Sequence, residues 1–245
     1  MRAEQLLDES ALRFSRRAAV VSDNGRAYSY GEVALRVDRV AAALVRSGLR
    51  GGERAALLLG DSIEAVISTF AIFKAGAVAA PVGARAEPDD VAALLRRSGA
   101  VALITDARHA SLARAAMSAA PTVRLVVLVG GDPATASDSC LVFETLTRGL
   151  GTSPAFEPLG QPSEAALLLP TLDGTGMPSA SAMTHAEYIE AASAAPEVED
   201  DRRRTPALLS IAGLCRLLAA VRDGATLVLG ASTIAVRFDT MALAG

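Results

Sequence analysis

Four short apolar runs, "RAALLL" (54–59), "AVAAPV" (77–82), "AVALIT" (100–105) and "VRLVVLV" (123–129), most constrain what this chain can fold into. A strand with one wet face alternates apolar and polar residues. Runs that stay apolar are buried on both faces, which is the condition of a parallel sheet covered by helices. The segments between and before them supply the helices. "VALRVDRVAAALVRSG" puts Val33, Val37, Val40 and Leu44 on one face and stops at Gly48, where a left-handed cap is easy. Asp61 or Ser62 can cap "IEAVISTFAIFKAG", which ends at Gly76. "PDDVAALLRRSG" carries Pro88 in its first turn and ends at Gly99, and "ARHASLARAAMSAA" stops before Pro121. His109 is expected to face solvent in the middle of that last helix.

The pattern loosens after Gly130. A short helical piece, "LVFETLTRG", leads into the Pro/Gly-rich "GLGTSPAFEPLGQPSE", and order returns with "AALLL" (165–169), helix "HAEYIEAASAA", a charged turn "EVEDDRRRTP", strand "LLSI" (208–211), helix "GLCRLLAAVRDG" and strand "ATLVLG". The reading is therefore an α/β fold of parallel-sheet layers flanked by helices in two lobes. Residues 1–148 form the first lobe, 149–163 connect, and 164–245 form a second lobe that is expected to be incomplete.

Several function classes drop out on composition. Lys and Arg number 24 against 27 Asp and Glu, a net charge of −3 with no basic footprint for nucleic acid. Cys140, Cys215, His109 and His185 have no metal-like spacing, and the cysteines read as reduced thiols in a cytoplasmic protein. The N-terminus has no signal-peptide pattern. The apolar stretches near 63–84 and 205–221 are broken by Glu64, Lys74, Pro81 and Arg216, so no membrane span is expected. No G-x-S-x-G elbow, dinucleotide fingerprint or Walker lysine is present.

The segment "LLLPTLDGTGMPSASAMTH" (167–185) runs from a strand through a Gly/Thr/Ser loop to a Thr-His at a helix start. Together with "YSYGEV", "FKAGAVAAPV", "FETL" and "LLSIAGL...DGATLVL" in collinear order, it makes essentially the whole chain resemble the N-terminal region of the adenylate-forming superfamily of acyl-CoA synthetases, luciferases and peptide-synthetase adenylation domains. The resemblance implies carboxylate activation with ATP and Mg²⁺ and transfer to CoA or another thiol. It also implies a phosphate loop similar to Thr-Ser-Gly-Thr-Thr-Gly-x-Pro-Lys-Gly followed by Thr-His.

Registered on Thr184 and His185, the chain keeps Thr171, Thr175, Gly176 and Pro178, with Gly174 between them. Leu172 stands where the family has Ser, Asp173 where it has Gly, Ser179 where it has Lys, and Ala180 where it has Gly. A carboxylate some 6 Å from one phosphate charge costs about 2–3 kcal/mol at an effective dielectric near 20. Leu209 and Ser210 stand where the family has an aromatic and a His beside the acyl group. The family's later stretches, with its adenine, ribose and lid residues, have no counterpart here.

Local chemistry gives other roles to the retained residues. Thr184 and Glu187 fit a capping box, leaving His185 as a first-turn surface residue. Gly174 and Gly176 shape a turn or, alternatively, leave a remnant anion site at the helix N-terminus. Asp200 or Asp201 holds the place of a family Asp. The nucleotide-binding remnant would thus be Thr171, Gly174, Thr175, Gly176, Thr184 and His185, with no catalytic residue, no metal ligand and no cofactor expected for the chain alone. The leading expectation is a truncated, catalytically silent synthetase-like binding or assembly protein. The alternative is half of a ligase completed by a second polypeptide, or a fragment of a longer ligase. Its strands "AALLL", "LLSI" and "ATLVL" are expected to lack neighbours, so a homodimer or a protein partner is expected to use residues after Ser163.

Overall fold

Capping chemistry starts the helices. In "YSYGEV", the Ser29 hydroxyl accepts from the Glu32 N–H, and the Glu32 carboxylate accepts from the Ser29 N–H at 2.8 Å, a closed capping box. It opens helix α2 (Tyr30–Arg46), whose buried face is Val33, Val37, Val40 and Leu44, the face read from the periodicity. Tyr30 is buried beside the box, and its hydroxyl donates to the Ala225 carbonyl at 2.6 Å, joining the start of α2 to a turn nearly 200 residues away.

The computed structural model describes residues 1–82, 88–148, 160–161, 163–172, 178–194, 206–230 and 233–237. The remaining helices are α1 (Ala3–Arg13), α3 (Ile63–Lys74), α4 (Pro88–Ser98), α5 (Ala110–Ser118), α6 (Phe143–Thr147), α7 (His185–Ser193) and α8 (Ile211–Asp223). The strands are β1 (Ala18–Val21), β2 (Ala27–Ser29), β3 (Arg54–Leu58), β4 (Val78–Pro81), β5 (Ala100–Asp106), β6 (Leu125–Val129), β7 (Cys140–Val142), β8 (Ala165–Leu172), β9 (Pro178–Thr184), β10 (Thr226–Gly230) and β11 (Thr233–Arg237). The four apolar runs of the sequence are β3 to β6, all mutually parallel as expected.

Two sheets result. One has the order β7-β6-β5-β3-β4-β8-β9, parallel throughout except for the antiparallel β8–β9 pair; the other is β11-β10-β1-β2. One core holds both together. Leu57 and Ile104 of the first sheet, Val20, Leu227 and Leu229 of the second, and the helices α1, α2, α3, α7 and α8 contribute to it. Helix α3 lies at its centre with every residue buried except Glu64. A smaller cluster lies under α4 and α5 on the other face of the first sheet.

Lys74, the charge that interrupts the α3 run, is itself buried and bridges Asp8 of α1, at 2.7 Å, and Asp38 of α2. A buried cation needs such partners, and these two carboxylates hold the ammonium above its ordinary range against the effect of burial.

Several expectations give way. "LLSI" is not a strand: Leu208 and Leu209 are buried in a turn, and Ser210 is the N-cap of α8, accepting from the Gly213 N–H at 3.1 Å. Ser favours such caps over sheet interiors because its hydroxyl satisfies an orphan helix N–H. "AALLL" and "ATLVL" do not lack neighbours, since β8 lies between β4 and β9, and β10 between β1 and β11. Strand pairing also crosses the boundary expected at 149–163. β8 and β9 extend the sheet of the first segment, whereas β1 and β2, near the N-terminus, join β10 and β11. His109 is not a mid-helix solvent-facing residue but ends a 3-10 turn capped by Asp106, with its ring 2.8 Å from that carboxylate. Residues 149–159, 162, 195–205 and 238–245, and with them Asp200 and Asp201, lie outside the described residues.

Candidate functional site

The phosphate-loop segment is a hairpin. β8 and β9 pair from Ala165↔Thr184 to Leu172↔Pro178, with Thr171 opposite Ser179 and Pro170 opposite Ala180. The sequence pattern predicts a loop over 171–185 leading into the helix, but the ladder takes in Pro178–Thr184 as a strand. Asp173, Gly174, Thr175, Gly176 and Met177 connect the two strands and lie outside the described residues. Thr171 is exposed, as are Ala180, Ser181 and Ala182 along β9.

The hairpin separates the candidate residues. At about 3.3 Å per strand residue, Thr184 stands roughly 17 Å along β9 from Ser179. Thr171 and Ser179 are therefore together at one end, and Thr184 with His185 at the other. Thr184 is the N-cap of α7: its hydroxyl accepts from the Glu187 N–H at 3.2 Å, and the Glu187 carboxylate accepts from the Thr184 N–H at 2.8 Å. The capping box read from the sequence is present. These bonds hold the Glu187 carboxyl below its usual range.

His185 is not a surface residue. It is fully buried, its ring edge-on to Phe73 with centroids 5.3 Å apart, and its Nδ1 accepts from the Ala3 N–H at 3.2 Å. Burial pushes the imidazole down to about 3, with the Arg2 guanidinium and the N-terminal amine acting in the same direction, so the ring is neutral. Its Nε2 has no hydrogen-bond partner among the described residues.

Around it, Arg2 is 2% exposed and donates to Glu4 at 2.6 Å, to the Phe73 carbonyl at 3.0 Å and to Glu164, just before β8, at 3.1 Å. Burial raises the Glu4 carboxyl above its usual range despite Arg2. Tyr188, one turn further along α7, is fully buried and donates to the Leu214 carbonyl of α8 at 2.6 Å. This end of the hairpin is an anchor linking the N-terminus, α3, β8 and α7. No sequence signal identifies it, because its partners lie up to 182 residues apart.

Ser210 is likewise occupied: besides capping α8, its hydroxyl donates to the Ala207 carbonyl at 2.6 Å. The glycine of "SIAGL" has a packing reason, since a Cβ at Gly213 would lie 2.1 Å from the Ala207 carbonyl oxygen. Cys140 and Cys215 are both free thiols, and no cluster of His, Cys, Asp and Glu among the described residues could hold a metal ion. Among those residues no helix is long and apolar enough to cross a membrane.

The family model of AMP-binding enzymes matches residues 7–243. The chain belongs to the AMP-binding enzyme family. It is 28% identical over 223 residues to 4-coumarate–CoA ligase 3 of Arabidopsis thaliana, covering 86% of this chain and 38% of that protein. To the salicyl-AMP ligase / salicyl-S-ArCP synthetase of Mycobacterium tuberculosis it is 32% identical over 196 residues, 76% of this chain and 34% of the relative. The N-terminal domain of FACL13 from Mycobacterium tuberculosis superposes with a TM-score of 0.77 at 24% identity, over 97% of this chain and 58% of the other. The fold is therefore that of the N-terminal domain of acyl-CoA synthetases, and the chain spans little more than a third of the length of these two ligases.

Proposed function

We propose that this AMP-binding family member does not adenylate a carboxylate and works instead as a binding or assembly protein. The observation that carries the reading is the chemistry at 172, 173, 179 and 180. Leu172, Asp173, Ser179 and Ala180 replace, in the family pattern, a hydroxyl donor, a glycine, a cation and a second glycine. That set does not fit a triphosphate, which needs donors and positive charge against crowded anionic oxygens. Thr184 and His185 do not compensate, being engaged in a helix cap and in the buried anchor. Assembly is supported by the outer strand β9, which exposes Ala180, Ser181 and Ala182 along the sheet edge after Ser163. Ile211, 40% exposed at the start of α8, adds an apolar contact on that part of the chain.

Carboxylate-dependent ATP–pyrophosphate exchange tests the silence. The chain should give no more exchange than a protein-free control over a panel of aliphatic and aromatic acids. Exchange well above that control overturns the reading. Light scattering tests the assembly: association at micromolar concentration that Ala182→Lys weakens supports it, and a strict monomer at high micromolar concentration removes it.

A second reading is favoured by the family match spanning residues 7–243 and by the retained Thr171, Thr175, Gly176 and Pro178. In it the chain is half of an ATP-dependent carboxylate ligase using Mg²⁺ and CoA, and the rest of the site comes from further polypeptide. Exchange that appears only when a ligase C-terminal portion is added would select this reading over the first.

A further inference from the structure

The two faces of the first sheet are covered unequally. On β5, Ala102 and Ile104 point into the main core, while Leu103 and, two residues on, Thr105 point toward α4 and α5. On β6, Leu125 and Val127 enter the main core and are buried, but Val126 and Leu128 on the opposite face are only half-buried. Among the described residues, helix α5 covers β5 and leaves Val126 and Leu128 of β6 half-buried, and beside them lies a recess of about 550 Å³. Thr105, Ala113, Arg114, Val126, Leu128 and Cys140 are among its lining residues.

We propose that this recess binds a small amphiphile with an apolar body and one anionic group at Arg114. Two observations converge on that chemistry. Val126 and Leu128 of β6 and Ala113 and Met117 of α5 give the recess apolar walls, and the volume lies within the roughly 300–1,000 Å³ of ordinary ligand cavities.

The rim has two arginines in different states. Arg124 is committed, donating to Glu53 at 2.6 Å and to the Gly48 carbonyl at 2.9 Å. Arg114 has no acidic partner among the described residues, so the recess offers one uncompensated cation, the complement of a single carboxylate. The recess is at the opposite end of the seven-stranded sheet from β8 and β9, so the proposal does not rest on the reading of the phosphate loop.

The Cys140 thiol, free and half-buried in the lining, reports occupancy. Its alkylation by iodoacetamide should slow several-fold as octanoate is added, with saturation at millimolar concentrations or below. Arg114→Gln should raise the half-protecting octanoate concentration about tenfold and leave protection by uncharged 1-octanol within about twofold, because only the charge-assisted contact is lost. Ala110→Trp, filling the recess from its rim, should block both probes, and circular dichroism confirms that each variant is folded. Absence of protection by octanoate in the folded wild-type chain overturns the proposal. So does protection unchanged in Arg114→Gln. Concentration-dependent shielding of Cys140 without octanoate, relieved by Leu128→Arg, would assign the recess to a second copy and overturn it equally.

Discussion

The two ends of the β8–β9 hairpin differ in what holds them. At the base, Glu164 meets the buried Arg2, Thr184 caps α7, and His185 and Tyr188 are sealed between Phe73 and α8. At the tip, Thr171 is exposed, and Thr171 and Leu172 pair with Ser179 and Pro178 of the neighbouring strand. The family motif runs through both ends, so a motif match by itself does not separate residues that build the fold from residues that would meet a nucleotide. In this chain the retained Thr184 and His185 are at the structural end, and of the departures Leu172, Ser179 and Ala180 are at the other.

The comparison predicts steep losses at the base. Arg2→Ala leaves Glu4 buried beside an unanswered cavity and removes the bonds to Phe73 and Glu164, which should cost about 3–5 kcal/mol in urea unfolding. A loss no larger than that of an ordinary surface substitution would break the distinction. His185 should be visible as a pH dependence. Its folded pKa of about 3 lies below the ordinary histidine value near 6.5. In that window the unfolded chain binds a proton that the folded chain does not. Stability contributed by neutral His185 is therefore complete above the unfolded value and lost as pH falls, at up to about 1.4 kcal/mol per pH unit.

Glu4 acts with the opposite sign. Its raised carboxyl keeps a proton to higher pH in the folded chain than in the unfolded one, so its contribution falls as pH rises just above the ordinary glutamate value. His185→Asn keeps an acceptor for the Ala3 N–H, removes the histidine slope and leaves the Glu4 one. Parallel stability curves for wild type and variant across this acid window would show that His185 is not sealed in as described.

Smaller effects sharpen the picture along the rest of the motif set. Gly213→Ala forces the start of α8 away from the Ala207 carbonyl and should destabilise by about 1–3 kcal/mol. Ser210→Ala removes the α8 cap and should cost about 1 kcal/mol by thermal or urea unfolding. Were "LLSI" a strand, the same change would be close to neutral. At the tip, Thr171→Ala should alter stability by no more than about 0.5 kcal/mol. Asp173→Gly with Ser179→Lys should bring at most weak binding of ATP with Mg²⁺ by calorimetry and no turnover. A cost at the tip as large as that at the base would erase the contrast.

The sequence by itself determined the parts whose physics is local. Continuous apolar runs specify β3 to β6 as strands buried on both faces. Ser62, and Thr184 with Glu187, specify where α3 and α7 begin, because a side-chain oxygen meets an N–H only three residues away. Gly224, in the left-handed conformation at φ 65°, ends α8 as read. The substitutions at 172, 173, 179 and 180 were equally legible, since they need only a register on Thr184 and His185.

Tertiary structure alone decided the rest. β1 and β2 are four and three residues long, too short for a periodic signal, and β1 is fixed by pairing with β10 some 200 residues on. Residues 208–211 are apolar enough to read as a strand, but the Ser210 hydroxyl, the Gly213 contact and the Leu208 N–H donating to Asp61 make them a turn before a helix. His185 looks like any polar first-turn residue until Arg2, Glu4 and Phe73 close over it. Capping and periodicity are set within a few residues, whereas burial and sheet order depend on which distant segments come to lie against them.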